Sequence, residues 1–118
     1  MYQAMADHDP NRALAVFNDE SVWVEPGGNS RGGEYRGPSA IAAHITECWK
    51  MTDGTLGTEI IEILGGEQFV VAIERTLALR DGRSLNMLVN TVYEMSEGVV
   101  TAIRTLPADC AEWNQFWS

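Results

Sequence analysis

The apolar and polar positions change period along the chain. Near the start they fall at helical spacing: Tyr2, Met5 and Ala6 predict a short helix over 2–7, and Asp9-Pro10 opens a second with Ala13, Leu14, Val16 and Phe17 on its apolar side. Asp9 is a good N-cap, and Pro10 suits the first helical position, where its missing N–H has no partner to lose. The β-branched and aromatic run Ser21-Val22-Trp23-Val24-Glu25, stopped by Pro26-Gly27-Gly28, predicts the first strand. Residues 29–37 read as a turn or irregular hairpin. Gly37-Pro38-Ser39 then starts a third helix with the stripe Ile41, Ile45 and Cys48, flanked by His44 and Trp49. Period two takes over beyond it, predicting strands over 58–64, 69–80, 85–95 and 99–106, with Asp81-Gly82 and Glu97-Gly98 as turns. The tail 111–117 reads as a short helical turn or an aromatic flap. Helices first and strands later, with no repeat or linker, imply one α+β domain over 1–118 with a largely antiparallel, curved sheet.

The two faces of the long strands differ. In 71–79, Val71, Ile73, Arg75, Leu77 and Leu79 share one face, and Ala72, Glu74, Thr76 and Ala78 the other. The first face is the more apolar and is predicted to lie under the helices. Arg75 in its middle then needs a carboxylate or a wet cavity, because a buried charge without its partner costs about 3–5 kcal/mol. Asn86 and Asn90, four apart on the face that holds Leu88 and Val92, are amides that need partners if buried, either a ligand or Glu25 and Arg75.

Composition narrows the function classes. The chain has 118 residues, with 17 acidic against 8 basic and a net charge of −9, which disfavours nucleic acid and anionic membranes as partners. The apolar stretches are of strand length and the first residues lack a basic start and a hydrophobic signal core, so the expected location is cytoplasmic. Cys48 and Cys110 read as ordinary thiols. His8 and His44 have no metal-ligand spacing, and neither a metal nor any cofactor is expected. The pairs Gly27-Gly28 and Gly32-Gly33 are loops and not phosphate cradles, and Arg31, Glu34 and Arg36 read as a solvated turn. Trp113, Phe116 and Trp117 fall at i, i+3 and i+4; core packing or a dimer contact is the default reading for such a stripe. With Trp23 and Trp49 it would alternatively close the mouth of a pocket over a ring-shaped ligand.

Tyr2-Gln3-Ala4-Met5, His8-Asp9, Phe17-Asn18-Asp19-Glu20-Ser21-Val22-Trp23, Gly33-Glu34-Tyr35-Arg36-Gly37, Ala40-Ile41, Gly98-Val99-Val100 and Phe116-Trp117 together resemble the SnoaL-like polyketide cyclase group. That group belongs to the nuclear transport factor 2-like superfamily, with the ketosteroid isomerases and limonene epoxide hydrolases. The resemblance implies a cystatin-like α+β barrel: a cone-shaped, curved mixed sheet around about three N-terminal helices, the first of them short here, with an apolar pocket and a homodimer through the outer sheet face. It places Glu25, before Pro26, at the position of the isomerases' base, and Asn90, eight residues before Gly98, at that of their oxyanion acid. Ile41-Ala42-Ala43-His44 resembles the isomerases' pocket helix motif, which turns His44 inward. By the same register Ile73, Arg75, Asn86, Leu88 and Ile103 face the cavity. The oxyanion tyrosine falls on Met1, one residue from Tyr2, and the hydrolases' Arg-x-Asp is interrupted at Leu77, so neither parent activity transfers whole.

The expected function is a cofactor-independent acid/base enzyme on a small, largely apolar, oxygenated molecule. Glu25 is its base, Asn90 and His44 its oxyanion or proton partners, and Arg75 tunes Glu25. Tyr2, Trp23, Trp49, Ile73, Asn86, Leu88, Ile103, Trp113, Phe116 and Trp117 are the expected ligand contacts. A non-catalytic binding module with the same pocket, and a structural dimerisation domain with a filled cone, are the alternatives; in either, Glu25 only caps a strand.

Overall fold

The computed structural model describes residues 16–118. Six strands form one sheet: β1 (Val22–Glu25), β2 (Gly33–Arg36), β3 (Gly57–Gly65), β4 (Phe69–Arg80), β5 (Arg83–Ser96) and β6 (Val99–Pro107). Two helices accompany it among the described residues, α1 (Pro38–Met51) and α2 (Cys110–Trp117). The helices expected over 2–7 and from Pro10 lie outside the described residues, apart from the end at Val16 and Phe17.

The sheet order is β2-β1-β6-β5-β4-β3; β1 runs parallel to β6 and every other neighbour is antiparallel. Both predicted turns close hairpins. Asp81 and Glu97 lie at φ 50° and the glycines after them at 76° and 78°, the two left-handed positions that match the twist of paired strands. The irregular 29–37 segment resolves into a tight loop and β2, which pairs with β1.

α1 starts at Pro38 after Gly37, whose φ of 86° lets the chain turn into the helix. It packs Ile41, His44, Ile45 and Cys48 onto the sheet. The tail is a true helix: Asp109 caps it by accepting from the Glu112 N–H at 3.0 Å. At its other end Arg80 donates to the Phe116 carbonyl at 3.1 Å and the Ser118 carbonyl at 2.9 Å, placing a cation where the helix dipole is negative.

Two apolar clusters hold the layers together. Trp113, Phe116 and Trp117 of α2 pack with Cys48, Ala78, Leu85, Met87 and Val89, while Trp23, Ile41, Ile45, Ala72, Tyr93, Val100 and Ile103 form the second. The packing corrects the facing expected for β4 and β5. Ala72, Glu74, Thr76 and Ala78 point to the helices, whereas Ile73, Arg75 and Leu77 are only partly buried and Leu79 is exposed on the outer face. Period two was right and its phase was reversed. Large rings lie against this face, Trp113, Phe116 and Trp117 in the cluster with Ala78 and Trp23 and Tyr93 in that with Ala72, so volume matching at the two alanines overrides the greater apolarity of the other face.

Candidate functional site

The site begins where β1 stops. Strand alternation buries Trp23 and Glu25 on the helix side, and Pro26-Gly27-Gly28 ends the strand immediately afterwards. The chain then folds back. Asn29 accepts from the Arg31 N–H at 2.9 Å and donates to Asn114 of α2 at 2.7 Å, and the Ser30 N–H donates to the Trp117 carbonyl at 3.1 Å. Gly32 permits the reversal, since a Cβ there would stand 2.6 Å from the Pro26 carbonyl oxygen and 2.8 Å from Gly27 Cα. Tyr35 closes the loop from β2, its hydroxyl donating to the Arg31 carbonyl at 2.9 Å.

The result is a buried ion pair with an imidazole against it. Arg31 Nε donates to Glu25 Oε2, and His44 Nε2 lies 2.6 Å from the same oxygen. The Glu25 side chain has no exposed surface, and its Oε1 accepts no hydrogen bond from the described residues. The Arg31 guanidinium lies over the rings of Trp113 and Trp117, 5.0 Å and 4.8 Å from their centres. Tyr35 stacks on the His44 ring at 3.8 Å, and Trp23 meets it edge-on at 5.3 Å.

Burial opposes the Glu25 charge, but Arg31, with His44 and the nearby Thr105 hydroxyl assisting, outweighs it and holds the carboxyl below its ordinary range. Burial also works against the Arg31 cation, and Glu25 overcomes it, so the guanidinium is more firmly charged than usual. His44 goes down: burial dominates and Arg31 adds to it, against the pull of Glu25. His44 is therefore a neutral imidazole at pH 7, donating Nε2–H to a carboxylate already satisfied by an arginine.

A pH dependence of stability follows. Because the native state holds the His44 proton less tightly than an unfolded chain does, stability falls as pH drops below about 6.5, the ordinary histidine value. Glu25, lowered from 4.5, adds a second loss below that pH. In His44→Gln, whose amide N–H replaces Nε2–H, the upper loss is expected to vanish and the lower to remain. Melting temperatures from pH 8 to 4 check this; an unchanged upper step in the variant would assign it elsewhere.

Arg31 lines two cavities, one on each side of it. The inner one, about 50 Å³, lies between α2 and the concave sheet face. Trp23, Tyr93 and Trp113 wall it, and Thr76, Thr91, Thr105 and Glu74 bring hydroxyls and a carboxyl from three adjacent strands. Glu74 is buried and its Oε1 accepts from the Thr91 hydroxyl; Thr105 accepts from Trp23 Nε1 at 2.9 Å. The other, about 400 Å³, is a groove between β2 and α1. No group of three or more potential metal ligands occurs among the described residues.

Glu25 and His44 are thus brought together as the resemblance implied, and Trp23, Trp113 and Ile103 are buried on the cavity side. Several expectations need correction. Arg75, Asn86, Leu88 and Asn90 lie on the outer sheet face, opposite the buried Glu25, where Arg75 donates to Asn86 Oδ1 at 2.7 Å. Ile73 goes with them, because one phase error inverts a whole face. Phe116 and Trp117 are core residues and close no mouth, and Trp49 packs partly buried against the second cluster. Tyr2 lies outside the described residues. Arg31, read as a solvated turn, is the buried cation of the site. The usable signal for it was Glu25 itself: a carboxylate on an inward strand position demands a cation, and a glycine-rich loop six residues on can return one. Glu74 was hidden on the face judged the less apolar.

A family model described as SnoaL-like domain matches residues 1–103. An uncharacterized protein of Mycobacterium tuberculosis is 24% identical over 118 residues, covering 99% of this chain and 90% of its own. Among solved structures, Bal32a from a soil-derived mobile gene cassette superposes with a TM-score of 0.93 at 27% identity, over 99% of this chain and 90% of that one. A nuclear transport factor 2-like protein of unknown function from Burkholderia pseudomallei gives 0.87 at 19%, over 99% and 91%. TerC, co-crystallised with polyporic acid, gives 0.85 at 18%, over 98% and 90%. The last two likenesses show the fold alone.

Proposed function

The chain belongs to the SnoaL-like domain family, in a superfamily that includes cofactor-independent isomerases and cyclases, and on that premise we propose that it is an acid/base enzyme acting on a small, largely apolar, oxygenated molecule. One observation carries the reading: a guanidinium and a carboxyl group, Arg31 and Glu74, are both buried and both line one cavity walled by hydroxyls and aromatic rings. Arg31 is held through Nε by Glu25, and among the described residues its two amino groups have no hydrogen-bond partner. They hold the substrate oxygen that gathers negative charge. Glu74 moves the proton, with the Thr91 hydroxyl orienting it. Glu25 and His44 are positioning residues that keep the guanidinium in place. The co-crystallisation of TerC with polyporic acid supports an oxygenated organic ligand for this fold.

Deuterium exchange tests the proposal. In heavy water, a panel of small ketones and enones is incubated with the protein and hydrogens next to the carbonyl are followed by mass spectrometry. Exchange is expected with the native chain, slowed about 10²–10⁴-fold in Glu74→Gln, the range of a lost acid/base group, and unchanged in Asn90→Ala. Exchange by Glu74→Gln at the native rate would overturn the role of Glu74. The small inner cavity favours a second reading, a module that binds without chemistry; a retained ligand with no exchange across the panel would establish it.

We also propose that two copies meet through the outer sheet face. Leu79 of β4, Leu88 of β5 and Leu106 of β6 are exposed there, more apolar surface than an isolated sheet face ordinarily shows to water. Sedimentation at the mass of one chain would overturn it.

A further inference from the structure

The inner cavity, at about 50 Å³, takes only the reactive end of an organic molecule, far below the roughly 300–1,000 Å³ of ordinary ligand sites. The groove on the other side of Arg31 is about 400 Å³ and falls in that range. Tyr35 of β2 forms one wall, and Ala40, Ala43 and Met51, at helical spacing on α1, form an apolar floor. Arg31 and His44 close its inner end, both buried. The Arg31 amino groups, with no hydrogen-bond partner among the described residues, are the donors that Arg31 can offer a ligand.

The charges around the groove select the kind of molecule. Glu25 cancels the Arg31 charge at contact distance, His44 is neutral, and the exposed Glu47 at the rim is the groove's other ionisable carboxyl. An arginine neutralised by its own carboxylate still donates hydrogen bonds but no longer attracts anions over distance, and Glu47 repels them. Small side chains on the floor leave width for a flat body.

We propose that the groove between β2 and α1 binds the body of the substrate, a neutral, planar, carbonyl-bearing aromatic molecule whose oxygen takes its hydrogen bonds from the Arg31 amino groups. This rests on the acid/base reading for the word substrate, while the binding itself stands without it. Ala40 and Ala43 are the specificity-determining positions: they set the depth of the groove, and a larger side chain at Ala43, which is exposed and so tolerant of the change, fills it.

The test is a titration of the full chain, labelled at alanine and valine methyls, with 2-acetylnaphthalene and with 2-naphthoate, an anion of similar size. The ketone is expected to shift the Ala40 and Ala43 methyls to saturation and to bind at least about tenfold more tightly than the carboxylate, and Ala43→Phe to weaken it about tenfold with an unchanged melting temperature. Arg31→Lys, which keeps the charge and loses the planar donor pair, weakens it too. Unmoved Ala40 and Ala43 methyls, equal binding of naphthoate, or full binding by Ala43→Phe would each overturn the proposal. The two readings fail separately. Groove binding with no deuterium exchange overturns the enzyme and leaves the groove, while exchange lost in Glu74→Gln but unaltered in KM by Ala43→Phe does the reverse.

Discussion

Replacing Arg31 by methionine is expected to destabilise the protein by about 3–5 kcal/mol, the cost of leaving a buried carboxylate without its cation. Glu25 has no exposed side-chain surface, and only the neutral His44 and the Thr105 hydroxyl are left to support its charge among the described residues. Trp113 and Trp117 lie over the guanidinium, so its loss also removes their contacts with it. The double variant Glu25→Gln, Arg31→Met removes both charges together and is expected to recover most of the loss, since an ion pair gains little over a neutral pair of similar shape once its desolvation is counted. Urea unfolding of the native chain, both singles and the double measures this. A single Arg31→Met within about 1 kcal/mol of the native chain would mean that Glu25 takes up a proton at little cost, and that the pair does not organise the site.

Trp117→Ala carries the second large effect, again about 3–5 kcal/mol, from lost burial plus the cavity left behind. Trp117 is fully buried, meets Phe116 edge-on at 4.9 Å and Trp113 at 5.9 Å, and offers its face to Arg31. The effect is not confined to packing. Residues in contact couple by about 0.5–3 kcal/mol in double-mutant cycles, so the losses of Trp117→Ala and Arg31→Met are expected to add to less than their sum. Strict additivity would show that the aromatic pair merely fills space beside the guanidinium.

These two residues mark where sequence reading succeeded and where it stopped. Trp113, Phe116 and Trp117 are legible as one helical stripe, and the structure adds Asp109 as its cap. The hairpins at Asp81-Gly82 and Glu97-Gly98 are equally legible, because a left-handed residue followed by glycine leaves the chain little else to do. The same holds for Glu25 and His44, whose positions before Pro26 and in the helix motif point inward through the resemblance. Arg75 and Asn90 were misplaced for one cause. Alternation says that neighbours on a strand face opposite ways, and it is silent on which way is in. Arg31 was missed because a loop has no period to read.

Local chemistry therefore determined the α+β class, the extent of the strands, the turns and the acidic surface, since each depends on residues near one another in the chain. Tertiary structure alone decided which sheet face is covered, because that depends on the volume of rings arriving from other elements, α2 among them. It also decided which arginine meets Glu25. Of the arginines that could have met this carboxylate, the fold turned Arg75 outward on β4 and returned Arg31 through Gly32, and the contact distance that makes a buried charge tolerable exists only after that return.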